Sequence, residues 1–168
     1  MLDLTQFDSL GDALAAALEK WPDEVCLIEA DRERERSRLT YRQFSDAALP
    51  LAGALQEAGF GAGDRAAIIM TNQPKWLISA YAVFGSGGVL VPLDYKLTPT
   101  EQLALLDHSQ ARFLFVEYPI WRAIVQCAAP EEVFTKPATA ATALFVGADT
   151  VLDGIIVCAD AGLVDIAV

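Results

Sequence analysis

The chain has 168 residues, of which 54% are hydrophobic, and its mean hydropathy is +0.33. This length suits one globular domain or one large subdomain, and so high an apolar content argues against intrinsic disorder. Twelve basic residues against 23 acidic residues give a formal net charge of −11. Because a surface this acidic repels phosphate backbones and anionic lipid headgroups, we expect no nucleic-acid partner and no binding to membrane surfaces.

The first predicted elements are a helix and a hairpin. Ser9 and Asp12 have the spacing of an N-terminal capping box, and apolar residues then recur at helical spacing up to Trp21. A short apolar strand is predicted at residues 25–30. The charges of residues 31–38 alternate in sign, which suits a solvated turn between two strands. The interleaved acids cancel the positive field that an anion site built from four arginines would need.

A longer helix is predicted from residue 40 to about residue 58. Thr40 is its expected N-cap and Gln43 the reciprocal partner, while Gly59 is a natural left-handed C-terminal residue. Pro50 removes one backbone donor and crowds the preceding turn, so a kink or a break is expected there. The side chains predicted to be buried are Phe44, Ala47, Ala48, Leu51, Ala54 and Leu55.

Three apolar strands are predicted at residues 66–70, 89–93 and 113–116, and their continuous apolar character suggests burial on both faces. Helices separate them. One is expected to be capped by Asn72, with Trp76, Leu77, Ala80, Tyr81 and Phe84 pointing inward. The next is expected to begin at Thr98-Pro99 with Glu101 as its reciprocal partner, and to bury Leu103, Leu105 and Leu106.

This alternation predicts an α/β fold in which a parallel βαβ sheet is layered with helices, preceded by a short N-terminal helix and a hairpin. A short helix around residues 120–125 and a strand at residues 155–159 are predicted next. Residues 128–150 are rich in Ala and Thr and give no clear prediction.

The candidate binding residues are few. The glycine clusters 59–63 and 85–88 each follow a helix and precede a strand, whereas a phosphate cradle needs the opposite order, so both are interpreted as connectors. Asp94 and Tyr95 follow a strand, where open α/β sheets bind ligands, but turn residues are the competing interpretation. His108, the only histidine, falls at a helix C-terminus, where an imidazolium interacts favourably with the helix dipole.

The sequence predicts no metal site, no signal peptide and no membrane-spanning segment. Cys26, Cys127 and Cys158 are far apart among apolar neighbours, which predicts buried, reduced thiols in a cytoplasmic protein. A zinc site would need close Cys/His pairs. Residues 1–8 lack the basic and apolar regions of a signal peptide, and no window approaches the roughly 18 apolar residues of a membrane span.

The chain resembles the AMP-forming acyl-activating (adenylate-forming) enzymes, a family that includes acyl-CoA synthetases, luciferases and the adenylation domains of peptide synthetases. The resemblance rests on four segments in the order and spacing typical of that family: residues 39–44 (LTYRQF), 63–68 (GDRAAI), 72–76 (NQPKW) and 88–94 (GVLVPLD). Leu97-Thr98-Pro99 with Glu101, and residues 108–112 (HSQAR), are most similar to the fatty acyl-CoA ligases.

The resemblance implies a single partial N-terminal domain over residues 1–168, with a good match from residue 9 to 117 and a weaker one from 118 to 168. The full-length family uses ATP, magnesium and CoA to make an acyl-adenylate and then a thioester. Its Ser/Thr/Gly-rich phosphate loop ending in Pro-Lys-Gly, its adenine- and ribose-binding segments and its catalytic lysine are absent from the 168 residues. The resemblance therefore carries over no catalytic, cofactor-binding or metal-binding residue.

Three functions compete at this stage. The first is the N-terminal fragment of a fatty acyl-CoA ligase, inactive and without cofactor by itself, whose partner is the remainder of the enzyme or a second copy of the chain. The second is a non-catalytic α/β module that retains the family fold and binds a protein. The third is a plain α/β domain with a small-molecule site near Asp94. The DNA that follows codon 168 separates the first two, because only the first predicts a reading frame for the phosphate loop.

Overall fold

The computed structural model describes residues 3–127, 142–146 and 151–155. The chain divides into two compact units, the first comprising Met1–Gly63 and Asn72–Val89 and the second Asp64–Thr71 and Leu90–Val168. In chain order the elements are a 3-10 helix (Leu4–Gln6), α1 (Leu10–Lys20), β1 (Val25–Asp31), β2 (Arg34–Thr40), α2 (Tyr41–Glu57), β3 (Arg65–Ile69), α3 (Pro74–Gly85), β4 (Val89–Pro92), α4 (Pro99–Ser109), β5 (Phe113–Val116), α5 (Tyr118–Cys127), β6 (Thr142–Val146) and β7 (Val151–Ile155).

The hairpin of the first unit joins β1 and β2 antiparallel. Arg32 adopts a left-handed conformation (φ 55°) at the turn. The alternating charges pair with one another, since Arg36 contacts Asp31 at 2.7 Å and Arg38 binds the Glu35 carboxylate. The turn predicted within residues 31–38 lies at Arg32 and Glu33, whereas residues 34–38 belong to the exposed part of strand β2.

Helix starts follow the predicted capping chemistry at three of four positions. Ser9 accepts a hydrogen bond from the backbone N–H of Asp12, and Thr40 and Thr98 each form a complete capping box. The prediction that Asn72 is the N-cap of α3 is wrong. Gln73, in an extended conformation, is the N-cap of α3, because the fixed φ of Pro74 makes that proline the first helical residue.

Helix α2 continues across Pro50 as one helix, so the prediction of a break at that residue is wrong. The kink at Pro50 remains a prediction. Ala48, Ala52 and Leu55 are its buried residues, at the spacing of one helical face. Ala47, which was expected to be buried, is exposed because it precedes that face by one position. Gly59 follows the helix with φ 81°, as predicted.

Helix α1 approaches the end of α3 closely at Gly11. A Cβ added at Gly11 would lie 2.8 Å from the carbonyl oxygen of Phe84, a backbone atom, whereas a Cβ added at Gly53 of α2 would have no atom within 4 Å. Only the first glycine is therefore required by close packing.

We expect Gly11→Ala to destabilise the first unit and Gly53→Ala to stabilise it. Forcing backbone apart costs about 1–3 kcal/mol, which exceeds the gain in helix propensity, whereas an unobstructed helical Gly→Ala gains about 0.5–1 kcal/mol. Urea unfolding followed by circular dichroism measures both. Equal stabilisation by the two substitutions would contradict the close approach.

The second unit is built on a sheet with strand order β4-β3-β5-β6-β7, in which β3, β5 and β6 are parallel and β6 pairs with β7 antiparallel. Ala66–Ile69 of β3 and all of β5 are buried, as predicted for a parallel sheet. The prediction that β4 is buried on both faces is wrong. Val89 is exposed and Val91 partly buried, because β4 is an edge strand within the described residues.

Helices α4 and α5 cover a core formed by Ala67, Ile69, Leu114, Val116 and Ile124. Leu103 and Leu106 of α4 pack against this core as expected. Leu105, also predicted to be buried, is exposed because it lies off that face of the helix.

The C-terminal part contains a strand that the sequence did not predict. Strand β6 (Thr142–Val146) lies within the Ala/Thr-rich residues 128–150. Strand β7 ends at Ile155, where the predicted strand begins, and residues 156–159 lie outside the described residues. The α/β class, the parallel sheet, the N-terminal helix and the hairpin are nevertheless confirmed.

Candidate functional site

The carboxyl edge of the sheet in the second unit carries a polar link that sequence reasoning missed. Thr71 follows β3 and Glu117 follows the parallel β5. The Thr71 hydroxyl donates to Glu117 Oε1 at 2.7 Å, and the Thr71 backbone N–H donates to Oε2 at 3.4 Å. The Glu117 carbonyl oxygen accepts from the N–H groups of Ile120 and Trp121 at the start of α5. Glu117 thus joins the end of β3 to the start of a helix.

Asp94 and Tyr95 form a turn at the end of β4. Asp94 Oδ1 accepts from the Lys96 N–H at 2.9 Å, and the Asp94 carbonyl accepts from Leu97 N–H. The amide of Gln102, a side chain only 2% exposed, donates to the carbonyls of both turn residues at 3.5 and 3.4 Å. These contacts favour the turn interpretation over a ligand site.

The glycine clusters and His108 also lie where a structural role was predicted. Gly63 (φ 83°) donates its N–H to the carbonyl of Gly87 (φ 74°) at 3.2 Å, so the two helix-to-strand connectors bind each other. His108 is exposed in the last turn of α4.

The aromatic residues of α3 divide between core and surface. Tyr81 is buried and contacts Phe44 edge-on at 5.6 Å between ring centroids, and burial raises the pKa of its hydroxyl. Trp76 and Phe84 are partly buried. Leu77, which was expected to point inward, is 44% exposed.

A cleft of about 440 Å³ opens in the first unit. It is lined by residues 27–30 of β1 and by residues 72–74, 76 and 77 around the start of α3. Apolar side chains provide most of its lining, with Glu29, Asn72 and Gln73 as the polar groups. It is a surface groove between a strand and a helix start, and sequence periodicity gives no signal for it.

The cysteines differ from their predicted burial. The Cys26 thiol is partly buried and donates to the Leu39 carbonyl at 3.4 Å, and burial raises its pKa. Cys127 is exposed, beside the Thr100 hydroxyl at 3.3 Å, because it ends α5 at the surface. Cys158 lies outside the described residues.

Neither a metal cluster nor a membrane helix is found within the residues that the structure describes. In that part of the chain, three or more His, Cys, Asp or Glu side chains nowhere gather as a metal site would require. The helices described there are too short or too polar to cross a bilayer.

Comparison with known proteins gives a consistent result. A family model described as AMP-binding enzyme matches residues 14–160. A 4-hydroxybutyrate–CoA ligase of Metallosphaera sedula is 36% identical over 113 residues, or 67% of this chain. Long chain acyl-CoA synthetase 2 of Arabidopsis thaliana is 28% identical over 132 residues, or 76% of this chain. The chain spans about one fifth of the length of these curated relatives, 20% of each.

Solved structures share the fold. A fatty acyl CoA synthetase of Mycobacterium tuberculosis superimposes with a TM-score of 0.68 at 25% identity, covering 84% of this chain and 26% of that one. The N-terminal subdomain of Klebsiella oxytoca NpsA, solved in complex with 3-hydroxyanthranilyl-AMSN, gives a TM-score of 0.62 at 24% identity and covers 83% of this chain and 31% of that one.

Proposed function

Because the chain belongs to the AMP-binding enzyme family, we propose that it is the N-terminal part of an AMP-forming acyl-CoA ligase acting on a carboxylic acid, with fatty acids as the preferred class. The observation that carries the proposal is the family match over residues 14–160, reinforced by CoA ligases among the curated relatives. The likeness to a mycobacterial fatty acyl CoA synthetase supports the fatty-acid preference.

The proposed full reaction has two steps. A carboxylate oxygen of the acid attacks the α-phosphorus of ATP, which forms the acyl-adenylate and releases pyrophosphate. The sulfur of CoA then attacks the acyl carbon, which forms the thioester and releases AMP. ATP, magnesium and CoA are proposed for the longer enzyme, and no cofactor is proposed for these 168 residues alone.

The contribution of this chain is a scaffold. Parallel strands β3 and β5 end at the same edge of the sheet, where Glu117 links Thr71 to the start of α5. Such a link holds Thr71 at the carboxyl end of β3, a position at which open α/β sheets present their ligand-binding loops. In this proposal residues 1–168 form one partial domain of a cytoplasmic enzyme, whose partner is the remainder of the ligase.

A chimeric ligase tests the proposal. Residues 9–117 of this chain would replace the matching segment of the mycobacterial fatty acyl CoA synthetase, and acyl-CoA formation would be measured with acids of several chain lengths. We expect the chimera to retain activity, because the substituted part supplies the scaffold while the host supplies the nucleotide machinery.

The matched control is the same host enzyme with that segment deleted, which should be inactive. A chimera that folds with the circular dichroism of the host but makes no acyl-CoA would contradict the scaffold role. That result would favour the alternative, a non-catalytic module, for which the cleft beside β1 is the supporting observation.

A further inference from the structure

Strand β3 marks a reversal in the winding of the sheet. It lies between β4 and β5, and the chain forms β4 on one side of β3 before it forms β5 on the other side. In open α/β sheets, ligands bind outside the carboxyl ends of the strands at a reversal of this kind. The carboxyl ends of the parallel strands β3 and β5 are therefore the part of this sheet that is best placed to act on a ligand.

Two polar links join this pair of strands, one at each end. Asp64 precedes β3 and Arg112 precedes β5, and the Arg112 guanidinium donates to Asp64 Oδ2 at 2.6 Å. Thr71 and Glu117 follow the same two strands, and the hydroxyl and backbone N–H of Thr71 both donate to the Glu117 carboxylate. The amino-end link and the carboxyl-end link can thus be compared on one pair of strands.

The two links differ in what they restrain. The Arg112 side chain is 46% exposed, and exposed ion pairs of this kind restrain their partners weakly. The Glu117 carboxylate instead binds two donors of a single residue, at 2.7 Å for the Thr71 hydroxyl and 3.4 Å for its backbone N–H, and both bonds are partly buried. A carboxylate that holds both groups restrains the rotamer and the peptide plane of Thr71 together.

Glu117 is itself held in place. Its carbonyl oxygen accepts from the N–H groups of Ile120 and Trp121, both at 3.0 Å, at the start of α5. Ile124 of that helix is 2% exposed and belongs to the core that β3 and β5 share. The carboxylate therefore extends from a position that the core determines, as a group that orients a reacting ligand must.

We propose that Glu117 is a positioning residue of the ligase reaction, which acts by holding Thr71 in one orientation at the ligand-binding edge of the sheet. The inference rests on the proposed function and goes beyond a scaffold role, because it assigns to one carboxylate an effect on the rate of the reaction. The link between Asp64 and Arg112, at the opposite end of the same strands, has no such effect.

The chimeric ligase that carries residues 9–117 contains both links and provides the test. We expect Glu117→Gln to lower kcat for acyl-CoA formation by about tenfold or more and to leave the KM values for the acid, ATP and CoA within about twofold, because misplacement slows the reaction without removing a substrate contact. Gln keeps the size of Glu, but its amide nitrogen cannot accept from the second donor of Thr71. Arg112→Gln breaks the amino-end link and is the matched control, for which kcat and KM should stay unchanged.

A double-mutant cycle measures whether Glu117 acts through Thr71. Thr71→Val removes the hydroxyl and keeps the branched shape, whereas Thr71→Ser keeps the hydroxyl. We expect Thr71→Val to lower kcat, Thr71→Ser to retain most of it, and the double variant Glu117→Gln/Thr71→Val to be no slower than the slower single variant. Urea unfolding of each variant separates this role from a merely structural one, which would lower stability without changing kcat per folded enzyme.

The possible outcomes distinguish this inference from the proposed function. An active chimera whose kcat is unaffected by Glu117→Gln would leave the proposed function intact and overturn the positioning role. Multiplicative effects of the Glu117 and Thr71 substitutions, or an equal loss of kcat in Arg112→Gln, would overturn it as well. Should Glu117→Gln fail to fold, equal kcat values for Thr71→Val and Thr71→Ser would do the same. An inactive wild-type chimera would overturn the proposed function and this inference with it.

Discussion

Titration of the 168-residue chain with ATP and magnesium is expected to give no heat of binding, and the chain is expected to catalyse no ATP–pyrophosphate exchange with any of several fatty acids. Adenylation requires backbone donors and cations that hold the phosphates as charge develops on them. The phosphate loop and the catalytic lysine expected from the family are absent from these residues, and the net charge of −11 opposes a polyanion.

Three arginines among the described residues are paired with acids and so do little to offset this charge. Arg36, Arg42 and Arg112 lie 2.7, 3.2 and 2.6 Å from the carboxylates of Asp31, Asp23 and Asp64, which cancels much of their field. The complete mycobacterial fatty acyl CoA synthetase, assayed in parallel, is the positive control. Clear turnover by the chain alone would show that it contains a nucleotide site and would refute its role as a scaffold only.

Leu55→Ala is expected to destabilise the chain by about 2–5 kcal/mol, because Leu55 is 0% exposed and its truncation leaves a cavity. Leu49→Ala, in the same helix but 57% exposed, should change stability by no more than about 0.5 kcal/mol. Urea unfolding at one fixed protein concentration measures both, since association would shift the apparent stability. Equal effects of the two substitutions would show that α2 does not bury the face assigned to it.

Local chemistry explains the part of the fold that the sequence predicts well. Thr40 and Thr98 are followed three residues later by Gln43 and Glu101, and both pairs form the complete capping boxes that their spacing indicates. Strand β5 has four consecutive apolar residues and is buried throughout, as continuous runs in parallel sheets are. These features depend on neighbours within a few residues, which a sequence displays directly.

The wrong predictions of burial arise where the position of a helix or strand in the tertiary structure decides which of its residues are buried. Ala47, Leu77 and Leu105 are apolar residues that the helical pattern assigned to the interior, yet each lies off the packed face of its helix. Similarly, β4 has the composition of a buried strand but forms the edge of the sheet within the described residues. Composition cannot distinguish an edge strand from a central one when both are apolar.

The Thr71–Glu117 link and the cleft could not be predicted from the sequence for the same reason, because both depend on the tertiary arrangement of elements. Thr71 and Glu117 are separated by 46 residues, and only the parallel pairing of β3 with β5 brings them together. If the strand order were known, the rule that polar residues following neighbouring parallel strands lie close together would have suggested Thr71 and Glu117. The cleft depends on how a hairpin and a helix start lie within one unit, which no periodicity encodes.

The distance along the chain between β3 and β5 also has a consequence for synthesis on the ribosome. Hairpin β1–β2 can close as soon as β2 has emerged, whereas β3 must wait for β5, whose residues lie 47 positions beyond their partners in β3, as Phe113 does beyond Ala66. At about 5–20 residues per second, the apolar strand β3 remains without that neighbour for roughly 2–10 seconds. Residues 66–70 are therefore the segment of the nascent chain that a chaperone would need to shield between the two events.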